Sequence, residues 1–314
     1  MNNGVEIAVV IPAFKVVDSL KEVVLSIPKN IDHIIVVDDH CPNASGKEAE
    51  KLNLTNVTVL YHEQNQGVGG AVITGYKKAI SLGCEIIVKI DGDGQMDPQY
   101  IDRLIGPLVD DKADYTKGNR FVDFNALRSM PRIRLFGNSC LSFLVKMVSG
   151  YWNIMDPTNG FTAIHQRVLE KLKLDQISQR FFFESDMLIN LNIINAVVKD
   201  IDIPARYGGE NSSLNIKKSL FQFPLKLGIR FFKRILFRYF IYDFNMASVY
   251  LILGLPIFIL SIIFGIVEWV DSIMSGTPKS AGTIMLVALP IIISFQMLLQ
   301  AVQIDIHSIP KKDR

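Results

Sequence analysis

The sequence predicts an α/β domain on a mostly parallel sheet, followed by basic amphipathic helices and a two-helix transmembrane hairpin. Three observations predict it. From residue 5 to about 205, short β-branched runs alternate with helix-like segments, the pattern of strands joined by crossover helices. Residues 212–242 carry lysines and arginines among Leu, Phe and Ile and contain no acidic residue. Residues 246–267 and 280–304 contain no charged residue, and each exceeds the roughly 20 residues that cross a hydrocarbon core of about 30 Å. The expected organisation is an α/β domain over 1–211, juxtamembrane helices over 212–245, and over 246–314 two spans, at about 246–270 and 280–304, with a short tail.

The strands are expected at 7–11, 33–37, 57–61, 85–90 and 115–117, where Val, Ile, Thr and Tyr suit a pleated, buried surface. Helical patterns lie near 18–27, 45–52, 68–82 and 98–109. Ligands of such sheets bind outside the carboxyl ends of the strands. Pro12-Ala13-Phe14, Asp38-Asp39 and Asp91-Gly92-Asp93 all fall at such ends. The run Asp91-Gly92-Asp93-Gly94-Gln95 sets two carboxylates and an amide oxygen on one turn, which fits either a divalent cation or a solvated acidic turn. Asn65 to Ala71 precedes a helix: its amides can face an anion, or Gly69, Gly70 and Gly75 can serve close helix–sheet packing.

Within the basic segment, Lys226, Arg230, Arg234 and Arg238 recur every four residues and so share one helix side, leaving Leu227, Phe231, Ile235 and Leu236 to line much of the rest. A helix lying in a membrane interface is expected; the alternative is a basic helix packed on the domain. Lys311, Lys312 and Arg314 follow the second span, while the loop between spans offers Asp271 and a single Lys279. That bias predicts an integral, multi-pass protein of the cell's inner or plasma membrane, with the large domain and both termini in the cytoplasm. Pro256 and Pro290 are expected to kink the spans. Gln296, Gln300 and Gln303 share one face, either pairing across helices in a homo-oligomer or lying near the interface.

The net charge of +2 says little about partners, and no nucleic acid is expected. Cys41, Cys84 and Cys140 are scattered, with neither a disulfide framework nor metal-ligand spacing, which suits a reducing compartment. Met1 leads almost directly into the first strand without an export signal.

Read in order, Val9-Val10-Ile11-Pro12-Ala13-Phe14, Val36-Val37-Asp38-Asp39, Asn65-Gln66-Gly67 through Gly75, Asp91-Gly92-Asp93-Gly94-Gln95 and Gly118-Asn119-Arg120-Phe121 resemble family 2 glycosyltransferases. Within that family the chain is most similar to polyprenyl-phosphate glycosyltransferases of the dolichyl-phosphate mannose synthase and bactoprenol glucosyltransferase type, over roughly residues 5–215. The resemblance implies a GT-A-type nucleotide-binding domain. It gives Pro12, Ala13, Phe14, Asp38 and Asp39 to the base and ribose, with Asp39 favoured for the base; either aspartate can instead cap the helix entered near Ser45. Asp91, Asp93 and Gln95 would hold the Mg²⁺ or Mn²⁺ that bridges the donor diphosphate, with Asp91 beside the nucleotide and Asp93 counted with the catalytic groups.

The resemblance puts Arg120 near the phosphates, among the catalytic groups, and Arg132, Arg134 and Asn138 in the acceptor-phosphate region. Asp156-Pro157-Thr158-Asn159-Gly160-Phe161 matches the family element that makes Asp156 the catalytic carboxylate, with Asn159 in place of the usual serine. The arginine expected soon afterwards is absent, since Thr162-Ala163-Ile164-His165 follows; His165 itself suits a surface or helix-start role. Glu184, after three phenylalanines, is expected at sugar hydroxyls. Gln179-Arg180-Phe181-Phe182-Phe183 replaces the Gln-x-x-Arg-Trp of polysaccharide synthases, which disfavours polymerisation. Residues 206–213 suit either a mobile loop or a plain linker.

The implied activity is inverting, metal-dependent transfer of one sugar from a nucleoside-diphosphate donor, UDP before GDP, to polyprenyl phosphate at the cytoplasmic membrane face. Dimers or tetramers are expected. The rival readings are a same-fold transferase with another lipid or glycan acceptor, and a non-catalytic nucleotide-sugar-binding membrane scaffold.

Overall fold

The computed structural model describes residues 4–121, 132–204 and 216–312, excluding the side chains of 132–136, 138 and 216–222. Arg132, Arg134 and Asn138 therefore fall outside the described side chains, and the loop at 206–213 lies outside the described residues. The chain divides into two compact units, Met1–Arg234 with Pro310–Arg314, and Ile235–Ile309.

The first unit is built on a seven-stranded sheet of order β3-β2-β1-β4-β6-β5-β7. Its strands are β1 (Ile7–Ala13), β2 (His33–Asp38), β3 (Val57–Tyr61), β4 (Ile86–Lys89), β5 (Tyr115–Asn119), β6 (Thr162–His165) and β7 (Val198–Asp202). All neighbours pair in parallel except β6, which runs antiparallel between β4 and β5. The five strands expected from β-branched runs are present at those places; β6 and β7 are additional.

Helices α1 (Val17–Ser26), α2 (Ser45–Glu50), α3 (Val68–Ser81) and α4 (Ile101–Val109) cross between the strands. Ile7, Val9 and Ile11 of β1 pack on one sheet face with Leu20 and Val24 of α1 and with Leu104, Ile105 and Leu108 of α4, all buried. On α3, a Cβ at Gly75 would lie 2.3 Å from Val10 Cγ1, and one at Gly69 would lie 2.6 Å from the Ser178 carbonyl oxygen. The glycine-rich run thus serves close packing, and the Gly70 N–H donates to the Gln179 carbonyl at 3.0 Å instead of facing an anion.

Farther along come α5 (Arg132–Ser149), the short α6 (Gln166–Leu169), α7 (Phe183–Ile193) and α8 (Ile216–Leu236). Gly150, at φ +75°, ends α5 with the left-handed residue that helix C-termini favour. On the basic helix α8, Arg230 and Arg234 turn inward onto the domain, whereas Lys226 is exposed. Arg230 donates to Asp186 Oδ2 at 2.8 Å and to the Gln176 carbonyl at 3.0 Å. Arg234 is fully buried and donates to the carbonyls of Val148 at 2.7 Å and Met147 at 3.1 Å. The physical reason lies in α5, whose last carbonyls have no intrahelical donor and sit at the negative end of a helix dipole. Leu225, Ile229 and Phe232 form the outward side of α8 and are exposed. Leu227 is buried, so the exposed side of α8 carries these apolar residues together with Lys226.

The second unit holds α9 (Met246–Ser275) and α10 (Ala281–His307), with mean hydropathies of 2.6 and 2.2. Both are long and apolar enough to cross a membrane, α9 spanning about 45 Å at 1.5 Å per residue. Asn245 and Ser248 form a capping box that starts α9, and Gly276 at φ +65° ends it. Each helix continues through its proline, Pro256 or Pro290. Helix α9 outruns its uncharged stretch, so Glu268 and Asp271 lie on its last turns and pair with Lys279. Tyr239 donates to Asp305 Oδ1 at 2.5 Å.

Candidate active site

The carboxyl ends of β1, β2, β4 and β5 lie along one sheet edge. Because β6 is reversed, its amino end lies there too, with Lys89 of β4 and Lys117 of β5 each paired to Thr162. The turn preceding β6 carries Asp156, so a residue remote in sequence from the acidic turn after β4 reaches the same edge.

The acidic turn is anchored from both sides. Ser19 Oγ donates to the Gly92 carbonyl at 2.7 Å, and the Gln95 N–H donates to Asp93 Oδ1 at 3.0 Å. Behind it, the fully buried Lys89 lies 2.8 Å from Asp91 Oδ1 and donates to Glu184 Oε1 at 3.1 Å. Burial works against the Lys89 charge, but the Asp91 and Glu184 carboxylates outweigh it and hold the ammonium above the ordinary lysine range. Apart from that ion pair, Asp91 Oδ1 is buried without a hydrogen bond of ordinary geometry. Asp91, Asp93 and the exposed Gln95 offer oxygen donors only, a set that fits Mg²⁺ or Mn²⁺ and disfavours softer ions. Gly160 closes the space from the other side: a Cβ there would lie 2.4 Å from Lys89 Nζ and 2.7 Å from Asp91 Oδ2.

Asp156 is fully buried and receives a two-pronged arginine, with Arg120 Nε at 2.7 Å from Oδ2 and Nη2 at 3.2 Å from Oδ1. The Arg120 side chain is 39% exposed, so the cation reaches the open edge while the carboxylate fixes its plane. Asn159 joins the strands behind this pair, donating to the Gly118 carbonyl at 2.7 Å and accepting from the Phe161 N–H at 3.0 Å. Its amide makes these two bonds through separate atoms, Nδ2 donating and Oδ1 accepting.

Lys89 and two further charged residues under the site had no counterpart among the expected site residues. Lys117 is fully buried, donates to the Asn159 carbonyl, and is pushed down to about 8 by burial against the opposing pull of Glu184 and Asp156. Asp200, on β7, is pushed up to about 6, chiefly by burial. Its Oδ2 accepts from the Met155 N–H at 2.5 Å, which fixes the residue before Asp156. Only Lys89 carried a signal, as a lysine inside the otherwise apolar run Ile86-Ile87-Val88-Lys89-Ile90; Lys117 and Asp200 lie in strands of mixed polarity.

On the β1–β2 side, Asp38 and Asp39 are both 2% exposed and bonded to protein. Asp38 accepts from the N–H groups of Cys41 and Gly46, each at 2.7 Å, which caps the entry to α2. Asp39 accepts from Gln66 N at 2.8 Å and Gly67 N at 2.7 Å and meets His62 Nδ1 at 2.8 Å. They shape the loops around the cleft. Pro12 and Ala13 belong to β1, and the Phe14 ring beyond them is 42% exposed. Lys15, His40 and Ala44 hold positive φ beside it, the kind of backbone strain that gathers at functional sites.

Residues 8–173 match the family described as Glycosyl transferase family 2. The UDP-N-acetylglucosamine–dolichyl-phosphate N-acetylglucosaminyltransferase of Methanococcus voltae is 34% identical over 215 residues, covering 62% of this chain and 85% of that one. The polyprenol monophosphomannose synthase of Mycolicibacterium smegmatis is 28% identical over 200 residues, covering 60% and 74%. In fold, the chain is similar to glucosyl-3-phosphoglycerate synthase from Mycobacterium tuberculosis in complex with UDP, with a TM-score of 0.54 and 18% identity over 74% of this chain and 80% of that one. Another structure of that enzyme contains Mn²⁺, UDP and phosphoglyceric acid. The motif resemblance and the GT-A-type architecture are thereby borne out, and the chain belongs to glycosyl transferase family 2, a glycosyltransferase whose relatives include polyprenyl-phosphate sugar transferases.

Proposed function

We propose that this protein transfers one sugar from a nucleoside-diphosphate donor, UDP in preference to GDP, to polyprenyl phosphate at the cytoplasmic face of a membrane. One observation carries the reading: the acidic turn and the Arg120–Asp156 pair share one sheet edge in a chain that also bears two bilayer-length helices. The names of the Methanococcus and Mycolicibacterium relatives, both acting on polyprenyl phosphates, support it.

The phosphate oxygen of the acceptor attacks the anomeric carbon, and the bond from that carbon to the donor diphosphate breaks, releasing the nucleoside diphosphate. A single displacement of this kind inverts the anomeric configuration. Asp91, Asp93 and Gln95 would hold a divalent cation that, when bound, neutralises charge on the diphosphate; Mn²⁺ and Mg²⁺ accompany UDP in structures of the M. tuberculosis enzyme. Arg120 faces the phosphates, and Asp156 keeps its guanidinium plane in place. That arrangement makes Asp156 an orienting carboxylate, because an acceptor phosphate is already nucleophilic without a strong base. Glu184, held by Lys89, meets sugar hydroxyls. The base stacks on Phe14 over the loops shaped by Asp38 and Asp39, and Arg132, Arg134 and Asn138 receive the acceptor phosphate.

The decisive assay combines full-length protein, Mg²⁺ or Mn²⁺, a panel of UDP- and GDP-sugars and a short polyprenyl phosphate. Mass spectrometry is expected to find one sugar on the lipid phosphate, with kcat lowered about 10²–10³-fold in Asp93→Ala. Nucleoside diphosphate accumulating only with a diacylglycerol or a glycan acceptor would overturn the lipid-phosphate reading.

A further inference from the structure

At the opposite, amino-terminal edge of the sheet, three metal-ligating side chains from three segments meet. Glu6 immediately precedes β1, His33 opens β2, and Cys84 lies in the turn between α3 and β4. Their donor atoms, a carboxylate oxygen, an imidazole nitrogen and a sulfur, all lie within 4.8 Å of one another. Cys84 is fully buried, His33 half-buried and Glu6 exposed.

The backbone fixes all three. The Glu6 carbonyl accepts from Glu85 N at 2.8 Å and Ile86 N at 3.3 Å, which ties the start of β1 to the start of β4. His33 is held in register opposite Ala8. The Cys84 N–H donates to the Ala79 carbonyl at 3.1 Å, after Gly83 reverses the chain at φ +83°. Asp32 stands alongside, its Oδ2 accepting from Ile7 N at 2.8 Å. The Glu6 and Asp32 carboxylates lie near the buried Cys84 sulfur. Negative groups gathered around a buried sulfur create a local field that favours a cation.

We propose that Glu6, His33 and Cys84 form a Zn²⁺ site that staples the starts of β1, β2 and β4, separate from the transfer chemistry. A thiolate, an imidazole and a carboxylate are the donors Zn²⁺ selects, unlike the all-oxygen turn at Asp91 and Asp93. Zinc–ligand bonds of about 2.0–2.3 Å put tetrahedral donors about 3.3–3.8 Å apart, so closing the present spread takes about 1 Å of side-chain movement. The exposed Glu6 supplies most of that freedom, and water takes the fourth position. On binding, Cys84 gives its proton to solvent as the Zn–S bond forms, with no change of oxidation state.

The test uses the full-length protein in detergent, stripped with a chelator and titrated with Co²⁺. One equivalent is expected to produce a sulfur-to-cobalt charge-transfer band that Zn²⁺ displaces. Cys84→Ser abolishes the band; His33→Gln and Glu6→Gln, neither at a buried position, weaken binding about tenfold or more. The band persists in the Asp91→Ala/Asp93→Ala double variant, which separates this site from the donor cation. A titration without the band, or a band retained in Cys84→Ser, overturns the proposal. So does Co²⁺ affinity unchanged in both glutamine variants.

Discussion

Lys89 sits where burial alone would strip its proton, and two carboxylates reverse that tendency. Removing one partner of a buried pair costs about 3–5 kcal/mol, with the lower end expected here because Asp91 is partly exposed. Lys89→Met should therefore lower the thermal midpoint by several degrees; a midpoint unchanged from the parent would refute a structural role for this cation. Lys117 and Asp200 make stability depend on pH in opposite senses. Between pH about 8 and 10.5, the unfolded chain keeps the Lys117 proton and the folded one has lost it, so stability rises with pH through that window. Between pH 3.8 and about 6, the folded chain holds the Asp200 proton that the unfolded chain has lost, so stability falls as pH rises. Melting curves from pH 4 to 10 should show both slopes, with Asp200→Asn flattening the acid one and Lys117→Met the alkaline one. Variants that kept both slopes would contradict the assignment.

At the scale of elements, Arg234 offers a sharp test. It closes the open carbonyl end of α5, and a Cβ on Gly150 would lie 2.5 Å from its Nη1, so helix end, glycine and arginine form one packed unit. Arg234→Met should cost about 2–3 kcal/mol through the lost charge-assisted bonds, measured as a shift in the thermal or denaturant midpoint. Arg234→Lys is expected to recover little, since one ammonium cannot replace the guanidinium fork. The spacing of basic residues on α8 was legible in the sequence. Its direction was not, because a basic stripe satisfies lipid phosphates and helix-end carbonyls equally well, and Met147, Val148 and Asp186 are far away in the chain. Strands β1 to β5 were legible as β-branched runs. Thr162-Ala163-Ile164-His165 is too short for a period, and Val198-Lys199-Asp200-Ile201-Asp202 carries the charges of an edge strand. The acidic turn and Arg120 could be read from motifs. The partners of the lysines beneath them could not, since they become neighbours only when β4, β5 and β6 are laid side by side.

At the scale of the whole molecule, Lys312 follows α10 and pairs with Asp111 at 2.5 Å and Asp114 at 3.3 Å, while Arg167 joins the same carboxylates. Lys312 and Arg167 hold the Asp111 carboxyl down at about 2. We propose that the two long helices cross the membrane as a hairpin with both ends on the cytoplasmic side. In sealed, right-side-out vesicles of a variant lacking the native cysteines, an impermeant thiol reagent should label Thr277→Cys from outside and Lys312→Cys only after permeabilisation. Labelling of both from outside would reject this topology. The reversed strand β6 has a further consequence. Its ladder with β4 ends at Lys89 and Thr162, two residues before the acidic turn and six after Asp156. The pairing therefore works as a ruler: slipping it by two residues, the smallest slip that keeps each side chain on its face, would slide Asp156 about 7 Å along the acidic turn. Substitutions along that ladder should detune catalysis by misplacing intact groups, without touching any of them.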